Sequence, residues 1–194
     1  RTEYDEQGRI VATIDAQGNR IALDHNVAAR VETIRDRLGN ATVHVYDAQG
    51  NVVSTTDPLG HTTARAYDEA GNETSVTDPL GFVTHNAYDG AGNLLSTTDP
   101  LTNATVYTYD SYGSQLSATD PLGHATTNEY DARGNLLATV NPLGERTANQ
   151  YDARGNLAAM RDPLGRVTLS LLYDGAGNMT AMTDAAGLTR SFGY

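Results

Sequence analysis

The chain has no cysteine, no tryptophan and only two phenylalanines among its 194 residues. Without cysteine it can form neither a disulfide nor a thiolate metal site, and the redox state of its compartment stays open. We find no apolar run near the ~18 residues of a membrane-spanning helix, and no signal-peptide pattern. Leu, Ile, Val and Phe supply only 36 of the 194 residues, a composition that by itself favours disorder over a packed domain.

Positive charge is also scarce, since 24 acidic residues face 13 basic ones and the formal net charge is −11. This acidity has a regular origin, because all of the 17 aspartates except Asp24 occupy one of two fixed places in a repeating pattern. It therefore does not indicate an acidic tail for cations or basic partners. It does disfavour binding to the phosphate backbone of nucleic acids, so we expect no nucleic-acid partner.

The repeating pattern has a period of 21 residues. The stretch "YDARGNLLATVNPLGERTANQ", beginning at Tyr130, is followed at once by "YDARGNLAAMRDPLG". Tyr-Asp pairs recur at steps of 21 residues, once 22, and His25 and Asn26 stand in place of one pair. A fixed period of this length is typical of repeat architectures. We interpret residues 1–194 as a single array whose nine repeats span residues 4–193, and we expect it to be a segment of a longer repeat protein.

Each repeat contains two Asp-x-x-Gly turns, exemplified by residues 131–134 and 120–123. A type I turn favours Asp at its first position, Pro at its second and Gly at its fourth. When the Gly adopts the left-handed region, the turn closes a three-residue hairpin loop with a bulge. We therefore expect Gly134, Gly155 and their equivalents to have positive φ.

Six or seven residues separate successive turns, which is strand length and too short for a typical helix. The predicted fold class is all-β, with tandem antiparallel β-hairpins and about eighteen short strands. Open twisted sheets rarely exceed about ten strands without curling. We therefore expect the strands to form a coiled β-ribbon.

Two columns of the repeat indicate packing. The third residue after the Asn of "GN", or its equivalent, is always small, and the first is usually apolar. Alternation along a strand places both on one face, and pairing across the bulged turn brings Tyr151 near Leu157. We predict a tyrosine and aliphatic ladder over a floor of small residues. The small residues are Ala12, Thr33, Ser54, Ser75, Ser96, Ser117, Ala138, Ala159 and Ala181, and the apolar ones are Ile10, Val52, Leu94, Leu136, Leu157 and Met179.

Two repeats depart from the pattern. The second has Asn26 and Ala29 where Asp and Gly belong, so its turn should be the least well specified. The eighth, in "RVTLSLLYD", has one extra residue before Tyr173. An odd slip turns every following side chain to the wrong face, so we expect a β-bulge to absorb it.

The residues that define the repeat are the Tyr, Asp and Gly of each YD turn, and we assign them a structural role. They are Tyr46, Asp47, Gly50, Tyr67, Asp68, Gly71, Tyr88, Asp89, Gly92, Tyr109, Asp110, Gly113, Tyr130, Asp131, Gly134, Tyr151, Asp152, Gly155, Tyr173, Asp174 and Gly177.

The sequence predicts no catalytic residue, no metal site and no cofactor. A catalytic carboxylate pair needs two different environments, whereas here the same Asp recurs in the same turn. Calcium needs about six to eight converging oxygens, which these turns do not indicate. His61 and His124 share a column but lie three repeats apart, and His25, His44 and His85 occupy others, so no zinc set forms. Turns account for every Gly, which leaves no phosphate-binding loop.

The repeats "YDARGNLLATVNPLGERT" and "YDEAGNETSVTDPLGFVT" resemble the RHS repeat, also called the YD repeat, over essentially the whole chain. The resemblance implies a long β-ribbon wound into a hollow shell, as in bacterial RHS effectors, the C component of insecticidal toxin complexes and animal teneurins. In the toxins the shell encloses a C-terminal toxic polypeptide until delivery, often by a type VI secretion system or a tripartite toxin. We see no PAAR-like domain, variable toxin domain or self-cleaving core motif.

By this resemblance the chain is a non-enzymatic segment of a partial RHS shell, in a protein that is secreted or delivered out of a bacterial cell. The implied partners are flanking RHS repeats or further copies of the chain, and an enclosed toxin polypeptide. Two alternatives remain: a module that presents tyrosines to glycans or a cell surface, and a filament joined through unpaired edge strands. Tyrosine rings packed inside the ribbon favour the scaffold, and rings exposed in a row favour glycan contact.

Overall fold

Nineteen β-strands joined by tight turns make up the computed structural model, which describes residues 1–194. The chain forms no helix, and therefore none that is long and apolar enough to cross a bilayer. Its two units, Arg1–Asn103 and Ala104–Tyr194, are compact in themselves. The all-β architecture of tandem antiparallel hairpins is confirmed, with one strand more than the roughly eighteen expected. The single array of residues 1–194 stays a prediction.

The strands are short, from three to seven residues. In the N-terminal unit they are β1 (Thr2–Tyr4), β2 (Ile10–Ile14), β3 (Arg20–Asn26), β4 (Val31–Arg35), β5 (Ala41–Tyr46), β6 (Val52–Thr56), β7 (Thr62–Tyr67), β8 (Glu73–Thr77), β9 (Val83–Tyr88) and β10 (Leu94–Thr98). In the C-terminal unit they are β11 (Ala104–Tyr109), β12 (Gln115–Thr119), β13 (Ala125–Tyr130), β14 (Leu136–Val140), β15 (Arg146–Tyr151), β16 (Leu157–Arg161), β17 (Val167–Tyr173), β18 (Met179–Asp184) and β19 (Thr189–Ser191).

Within each unit every strand pairs antiparallel with the next, and two kinds of hairpin alternate. Hairpins closed by the Asp-Pro-Leu-Gly turn or its variants pair without interruption, except for β16 with β17. In β14 and β15, for example, the pairing runs from Ala138 opposite Ala148 to Val140 opposite Arg146. This regular pairing covers only the halves of the two strands next to the turn and ends before Leu136 on β14 and Tyr151 on β15.

Hairpins closed by the Tyr-Asp turn carry a bulge. In β15 and β16, Gln150 lies opposite Ala159 and Tyr151 lies opposite Leu157, so Ala158 is an extra residue on β16. The predicted proximity of Tyr151 and Leu157 is confirmed. The same shift recurs beside Tyr46, Tyr67, Tyr109, Tyr130 and Tyr173.

The sheet has almost no fully buried side chain. Only Ala12 and Ala138, with 0% and 1% of their surface exposed, are buried, and both belong to the predicted floor of small residues. The rest of that column is half-buried, as are the tyrosines from Tyr46 to Tyr173 that define the repeat. Large aliphatic residues are scarce because a thin layer of small side chains, rather than a thick core, covers this face.

The second repeat closes its hairpin differently from the others. β3 and β4 pair without a bulge up to Asn26 opposite Val31. The turn then runs over residues 27–30, where the Arg30 N–H donates to the Val27 carbonyl at 3.2 Å and Arg30 has a φ of 54°. With Asn26 and Ala29 in place of the usual Asp and Gly, the residue with positive φ is therefore Arg30, one position later than in the other repeats. That this turn is the least well specified stays a prediction.

The eighth repeat absorbs its extra residue as predicted. β16 and β17 pair with Met160 opposite Leu169 and Arg161 opposite Val167, which leaves Thr168 as a bulge. The Thr168 hydroxyl donates to the Met160 carbonyl at 3.3 Å. The bulge keeps Tyr173 in its usual position opposite Met179, so the odd residue does not reverse the faces of the strands that follow.

Candidate functional site

The tyrosine of one YD hairpin is bound to the backbone of the hairpin before it. The Tyr151 hydroxyl donates to the Leu136 carbonyl at 3.0 Å, and Tyr130 reaches the Gln115 carbonyl at 3.1 Å. The same contact, always fifteen residues back, recurs in the N-terminal unit from Tyr67 to Val52 and from Tyr88 to Glu73. The tyrosine column therefore fastens successive hairpins to one another.

These carbonyls need a side-chain partner because the backbone ladder has already ended. Pairing between β14 and β15 covers only Ala138 to Val140 of β14, so the carbonyl of Leu136 has no backbone donor on β15. The Asn149 amide and the Tyr151 hydroxyl of β15 both donate to it, at 2.9 and 3.0 Å. A buried carbonyl can accept two hydrogen bonds, and here both come from one neighbouring strand.

An asparagine two residues before the tyrosine joins this contact in three repeats. Asn86, Asn128 and Asn149 donate to the same carbonyls as the following tyrosines. The oxygen of the Asn128 side chain in turn accepts the Thr139 hydroxyl at 2.9 Å, from the opposite strand of its own hairpin. Asn86 accepts the Thr97 hydroxyl in the same way at 2.9 Å, so Asn86 and Asn128 each link three strands. We name the tyrosine and asparagine contacts together the inter-hairpin ladder.

The second repeat maintains the ladder with different chemistry. His25 replaces the tyrosine, and its Nε2 lies 2.7 Å from the Ile10 carbonyl, fifteen residues back. Its Nδ1 lies 3.0 Å from Glu32, whose other oxygen accepts the Tyr46 hydroxyl at 3.0 Å. Burial and then this hydrogen bond raise the pKa of Tyr46. Imidazole can replace phenol here because both carry a donor at the far end of a flat ring.

The aspartate of each turn accepts hydrogen bonds from within its own loop. One carboxylate oxygen of Asp131 accepts the N–H of Arg133 at 2.8 Å and that of Asn135 at 2.9 Å, and the other accepts the Asn135 amide at 2.9 Å. The Asp131 carbonyl accepts the Gly134 N–H at 3.0 Å, and its own N–H donates to the Asn135 carbonyl. Every side-chain acceptor of this aspartate is therefore engaged in closing the turn.

The residue four places after the aspartate varies but supplies a donor in most turns. In most YD turns this residue is Asn. In three turns of the Asp-Pro-Leu-Gly class it is His61, His124 or Arg166. Where Asn141 replaces the aspartate, the roles reverse and its amide donates to the Glu145 carboxylate at 2.7 Å. A donor and an acceptor at these two places can thus pair in either order, and the turn also forms without this pair where Phe82 or Leu188 follows the aspartate.

These hydrogen bonds perturb the aspartates in one direction. The Asn135 side chain and then its backbone N–H hold the pKa of Asp131 below its usual value, and Asn156 does the same to Asp152. At Asp120 the backbone N–H of His124 is the main cause of a lowered pKa. These three aspartates stay ionised at neutral pH with their oxygens committed to the turn, which suits structure rather than proton transfer.

The turn glycines have the predicted conformation. Gly134 has a φ of 83° and Gly155 a φ of 92°, and the glycines of the other Asp-x-x-Gly turns are also positive. Thr102 occupies the glycine position of the turn after β10 and has a φ of 69°. It is strained there because a side chain in the left-handed region crowds the backbone.

Sequence reasoning found the tyrosine, aspartate and glycine columns but missed the asparagines of the ladder. Their signal was available, because Asn86, Asn128 and Asn149 each precede a tyrosine of the pattern by two residues. The histidines are scattered, and no group of three or more His, Asp or Glu side chains is placed to hold a metal ion.

Shallow grooves lie between neighbouring YD turns, where the hairpin tips separate beyond the ladder. One in the C-terminal unit has a volume of about 510 Å³ and is lined by Tyr112, Glu129 and Arg133 among others. An equivalent groove of about 480 Å³ lies between Val27 and Tyr46 in the N-terminal unit. They recur because the hairpins recur, and all are open to solvent.

The repeat geometry agrees with a known family. The model of the RHS repeat matches residues 46–83, 88–126, 113–148, 130–167 and 151–189, which is more than half of the chain. The chain belongs to the RHS-repeat family. No curated protein is detectably similar to this RHS chain in sequence.

Solved structures share the fold of this RHS chain. A TcdB2-TccC3 structure without its hypervariable C-terminal region is 16% identical to this chain, with a TM-score of 0.59. The match covers 94% of this chain and 13% of the TcdB2-TccC3 chain. The Photorhabdus luminescens Tc holotoxin pore with a point mutation in TccC3 is 16% identical with a TM-score of 0.58, covering 94% of this chain and 13% of that one. The RHS chain thus spans about an eighth of the proteins that it matches.

Proposed function

We propose that this chain is a non-enzymatic wall segment of an RHS shell, which encloses and protects a C-terminal toxin or other polypeptide in a secreted or injected bacterial protein. Its partners are flanking RHS repeats and the enclosed polypeptide. The fold shared with TcdB2-TccC3 structures supports this proposal, as does membership of the RHS-repeat family.

The inter-hairpin ladder is the observation that carries the proposal. The tyrosine rings are half-buried and their hydroxyls bind backbone carbonyls of the preceding hairpin. A display surface needs free hydroxyls and exposed ring faces, whereas a wall needs each strand pair joined to the next. Side-chain donors satisfy the carbonyls that backbone pairing leaves without a partner, which strengthens the connection between successive hairpins.

The chemistry of the chain supports a structural role as well. Its aspartates engage their carboxylate oxygens in turn closure. The ion pair of Arg146 with Glu129, at 2.7 Å, is exposed and links β15 to β13 across β14. Catalytic carboxylates stand in pairs whose environments differ, and the repeats provide the same environment again and again.

Protease protection of the cargo tests the proposal. The intact protein that contains this segment is digested with a nonspecific protease, and survival of the polypeptide C-terminal to the repeats is followed by mass spectrometry. We expect that polypeptide to survive in the unaltered protein and to be cut faster when Tyr67, Tyr88, Tyr130 and Tyr151 are changed to Ala. The matched control is Tyr112→Ala, which removes an exposed ring outside the ladder. Equal digestion of the cargo in all three proteins would contradict enclosure.

A second candidate function is glycan binding, which one local feature favours. Tyr112 is 92% exposed and stands beside Arg133 and Glu129 in the groove of about 510 Å³. An exposed aromatic ring with neighbouring charged groups can stack on a sugar and bind its hydroxyls. Glycan-array binding that is lost in Tyr112→Ala would support this role. Binding that is absent, or unchanged in that variant, would exclude this groove.

A further inference from the structure

The ladder contact of the second repeat uses a donor that can lose its proton near neutral pH. In the repeats around Tyr151 and Tyr130 the donors are a tyrosine hydroxyl and an asparagine amide, whereas here the imidazole of His25 takes the place of the tyrosine. A phenol ordinarily gives up its proton at about pH 10 and an imidazole at about pH 6.5. Ordinary changes of pH can therefore act directly on the donor of the second repeat.

Both ring nitrogens of His25 face atoms that accept hydrogen bonds. Nε2 lies 2.7 Å from the carbonyl oxygen of Ile10 on β2, and Nδ1 lies 3.0 Å from the carboxylate of Glu32 on β4. The other oxygen of Glu32 accepts the Tyr46 hydroxyl at 3.0 Å, as an ionised carboxylate does. A carbonyl and an ionised carboxylate have no hydrogen to donate. The ring satisfies both neighbours only when each nitrogen carries a hydrogen, which is the imidazolium form.

We propose that the second repeat contains a pH-sensitive contact, in which protonated His25 joins its own strand to the strands on both sides. His25 lies directly opposite Glu32 in the pairing of β3 with β4, and its Nε2 reaches the preceding hairpin at Ile10. Loss of the ring proton leaves one of these two contacts without a hydrogen. The proposal goes beyond the proposed function, because it concerns how tightly one hairpin is held, whatever the wall encloses.

Partial burial strengthens this contact. The side chains of His25 and Glu32 are 20% and 19% exposed, whereas those of the ion pair between β13 and β15 are 47% and 51% exposed. Solvent therefore screens the attraction of the imidazolium for the carboxylate less. Burial and the hydrogen bond to Glu32 also raise the pKa of Tyr46, so its hydroxyl remains a donor throughout the range in which imidazoles titrate. These side chains line the groove of about 480 Å³ that is open to solvent, through which protons can exchange.

Glu32 is the carboxylate that faces the ring, and the other charges on this side are directed elsewhere. On the same strand, Asp24 is exposed and lies by alternation on the opposite face of the sheet. β2 has no charged side chain, and Arg9 just before it is paired with Asp5 at 2.6 Å. Asn26, directly after the histidine, stands where the other repeats have the aspartate of the turn.

The charged and titratable groups beyond Glu32 also leave the pair intact. Arg35 ends β4 and lies by alternation on its other face. His44 of β5 stands opposite the glutamate, with its Nδ1 3.1 Å from the Thr55 hydroxyl. Arg30 and Asp47 line the groove beside the pair. Arg30 is exposed, so water and salt screen its repulsion of the imidazolium, and Asp47 uses its carboxylate oxygens to close its own turn.

The contact should hold in weak acid and loosen as the pH rises. The folded chain uses both hydrogens of the imidazolium in these contacts and the unfolded chain uses neither, so the folded chain gains from the proton. This gain is fully present below the usual histidine pKa of about 6.5 and is lost as the pH rises above it. It also needs an ionised carboxylate, which a glutamate ordinarily provides above about pH 4.3.

Hydrogen exchange of the 194-residue chain, read by mass spectrometry, tests the proposal. Protection is measured from about pH 5.5 to about pH 8 and corrected for the intrinsic exchange rate at each pH. We expect the protection of β3 and β4 to fall about threefold over that range, which is the change that a partly exposed ion pair can supply. The protection of β14 and β15, which are joined by Tyr151 and Asn149, should stay level.

Two variants separate the imidazole from its surroundings. His25→Tyr restores the residue of the other repeats, and Glu32→Gln keeps an acceptor for Tyr46 while removing the charge. Both should abolish the pH dependence of protection in β3 and β4. The matched control is His85→Tyr, which makes the same change at an exposed histidine on β9 and should leave the pH dependence as it is. Thermal melts confirm that each chain is folded.

Nuclear magnetic resonance of the imidazole nitrogens reads the protons directly. At about pH 6 we expect His25 to carry a hydrogen on both nitrogens. A ring with a single N–H at that pH, its second proton residing on Glu32, would overturn the proposal. So would unchanged protection of β3 and β4 across the pH range, or a pH dependence that persists in His25→Tyr and therefore belongs to His44 or another group. None of these results bears on protection of a cargo, so the proposed function would survive them.

Discussion

The hydroxyl of Tyr151 lies 3.0 Å from the carbonyl oxygen of Leu136, on the hairpin before its own. This contact extends the hydrogen bonding between hairpins past the point where backbone pairing stops. It explains why tyrosine, rather than phenylalanine, recurs at the head of the repeat: the ring packs on the face of the sheet, and its hydroxyl satisfies a carbonyl of the preceding hairpin.

Removing the hydroxyl should therefore weaken the chain even when the ring remains. We expect Tyr130→Phe and Tyr151→Phe each to lower the free energy of unfolding by about 1 kcal/mol, the net worth of a hydrogen bond whose acceptor is left short of a donor. Tyr112→Phe is the control, since that ring is exposed at a turn tip, and should change stability little. Urea unfolding measures all three. A control that loses as much stability as the ladder variants would contradict the structural role of the hydroxyls.

The glycine position of the turns makes a reciprocal prediction. Thr102 has a φ of 69° where its counterparts are glycine. Thr102→Gly should stabilise the chain by about 1 kcal/mol, because glycine enters the left-handed region without a steric penalty. Gly123→Thr, the reverse change in the next turn of the same class, should destabilise it by a similar amount. Both are measured by chemical denaturation, and the same sign for the two changes would refute this explanation.

A stronger form of the same test uses Gly155, whose φ is 92°. Apart from the two adjacent residues, no part of the chain lies within 4 Å of the position that its Cβ would take, so a clash with more distant residues would not confuse the result. Gly155→Val should destabilise the chain by roughly 1 to 3 kcal/mol through backbone strain alone. A change that leaves the urea midpoint unaltered would show that this turn tolerates a side chain.

The exchange of roles at Asn141 and Glu145 can be tested as a pair. Asn141→Asp alone should destabilise the turn, because two carboxylates then meet where an amide now donates to Glu145 at 2.7 Å. Adding Glu145→Asn restores the arrangement of the other turns and should recover the loss. A double-mutant cycle should give a coupling energy of about 1 kcal/mol. A coupling near zero would mean that the two side chains act independently.

Acid should destabilise the chain through its turn aspartates. Hydrogen bonds lower the pKa of Asp131 and Asp152 in the folded state, so the unfolded chain binds protons more readily and stability rises with pH. The stability that these two carboxylates contribute is fully present above the usual aspartate pKa of about 3.9. It is lost as the pH falls through their lowered pKa values in the folded state. Melting temperatures measured from about pH 5 to 2 should fall less steeply for Asp131→Asn/Asp152→Asn. Parallel curves would contradict the assignment.

Local rules predicted the turns and strands, whereas contacts between repeats had to be seen in the structure. Asp, Pro and Gly at fixed places are sufficient to predict a turn such as residues 120–123, and the extra residue before Tyr173 is sufficient to predict a bulge. The hydroxyl contact of Tyr151 with Leu136 depends on where pairing between β14 and β15 ends. Periodicity does not contain that distance, which is why Asn149 was not recognised as a member of the ladder.

Cryo-electron microscopy of the intact protein that contains this segment tests enclosure most directly. We predict that residues 1–194 belong to a continuous wall, with density for a separate polypeptide on the side that the wall encloses. The ladder from Tyr67 to Val52 and from Tyr151 to Leu136 should be intact in that wall. A map in which both faces of these hairpins are open to solvent, with no polypeptide beside them, would contradict the account.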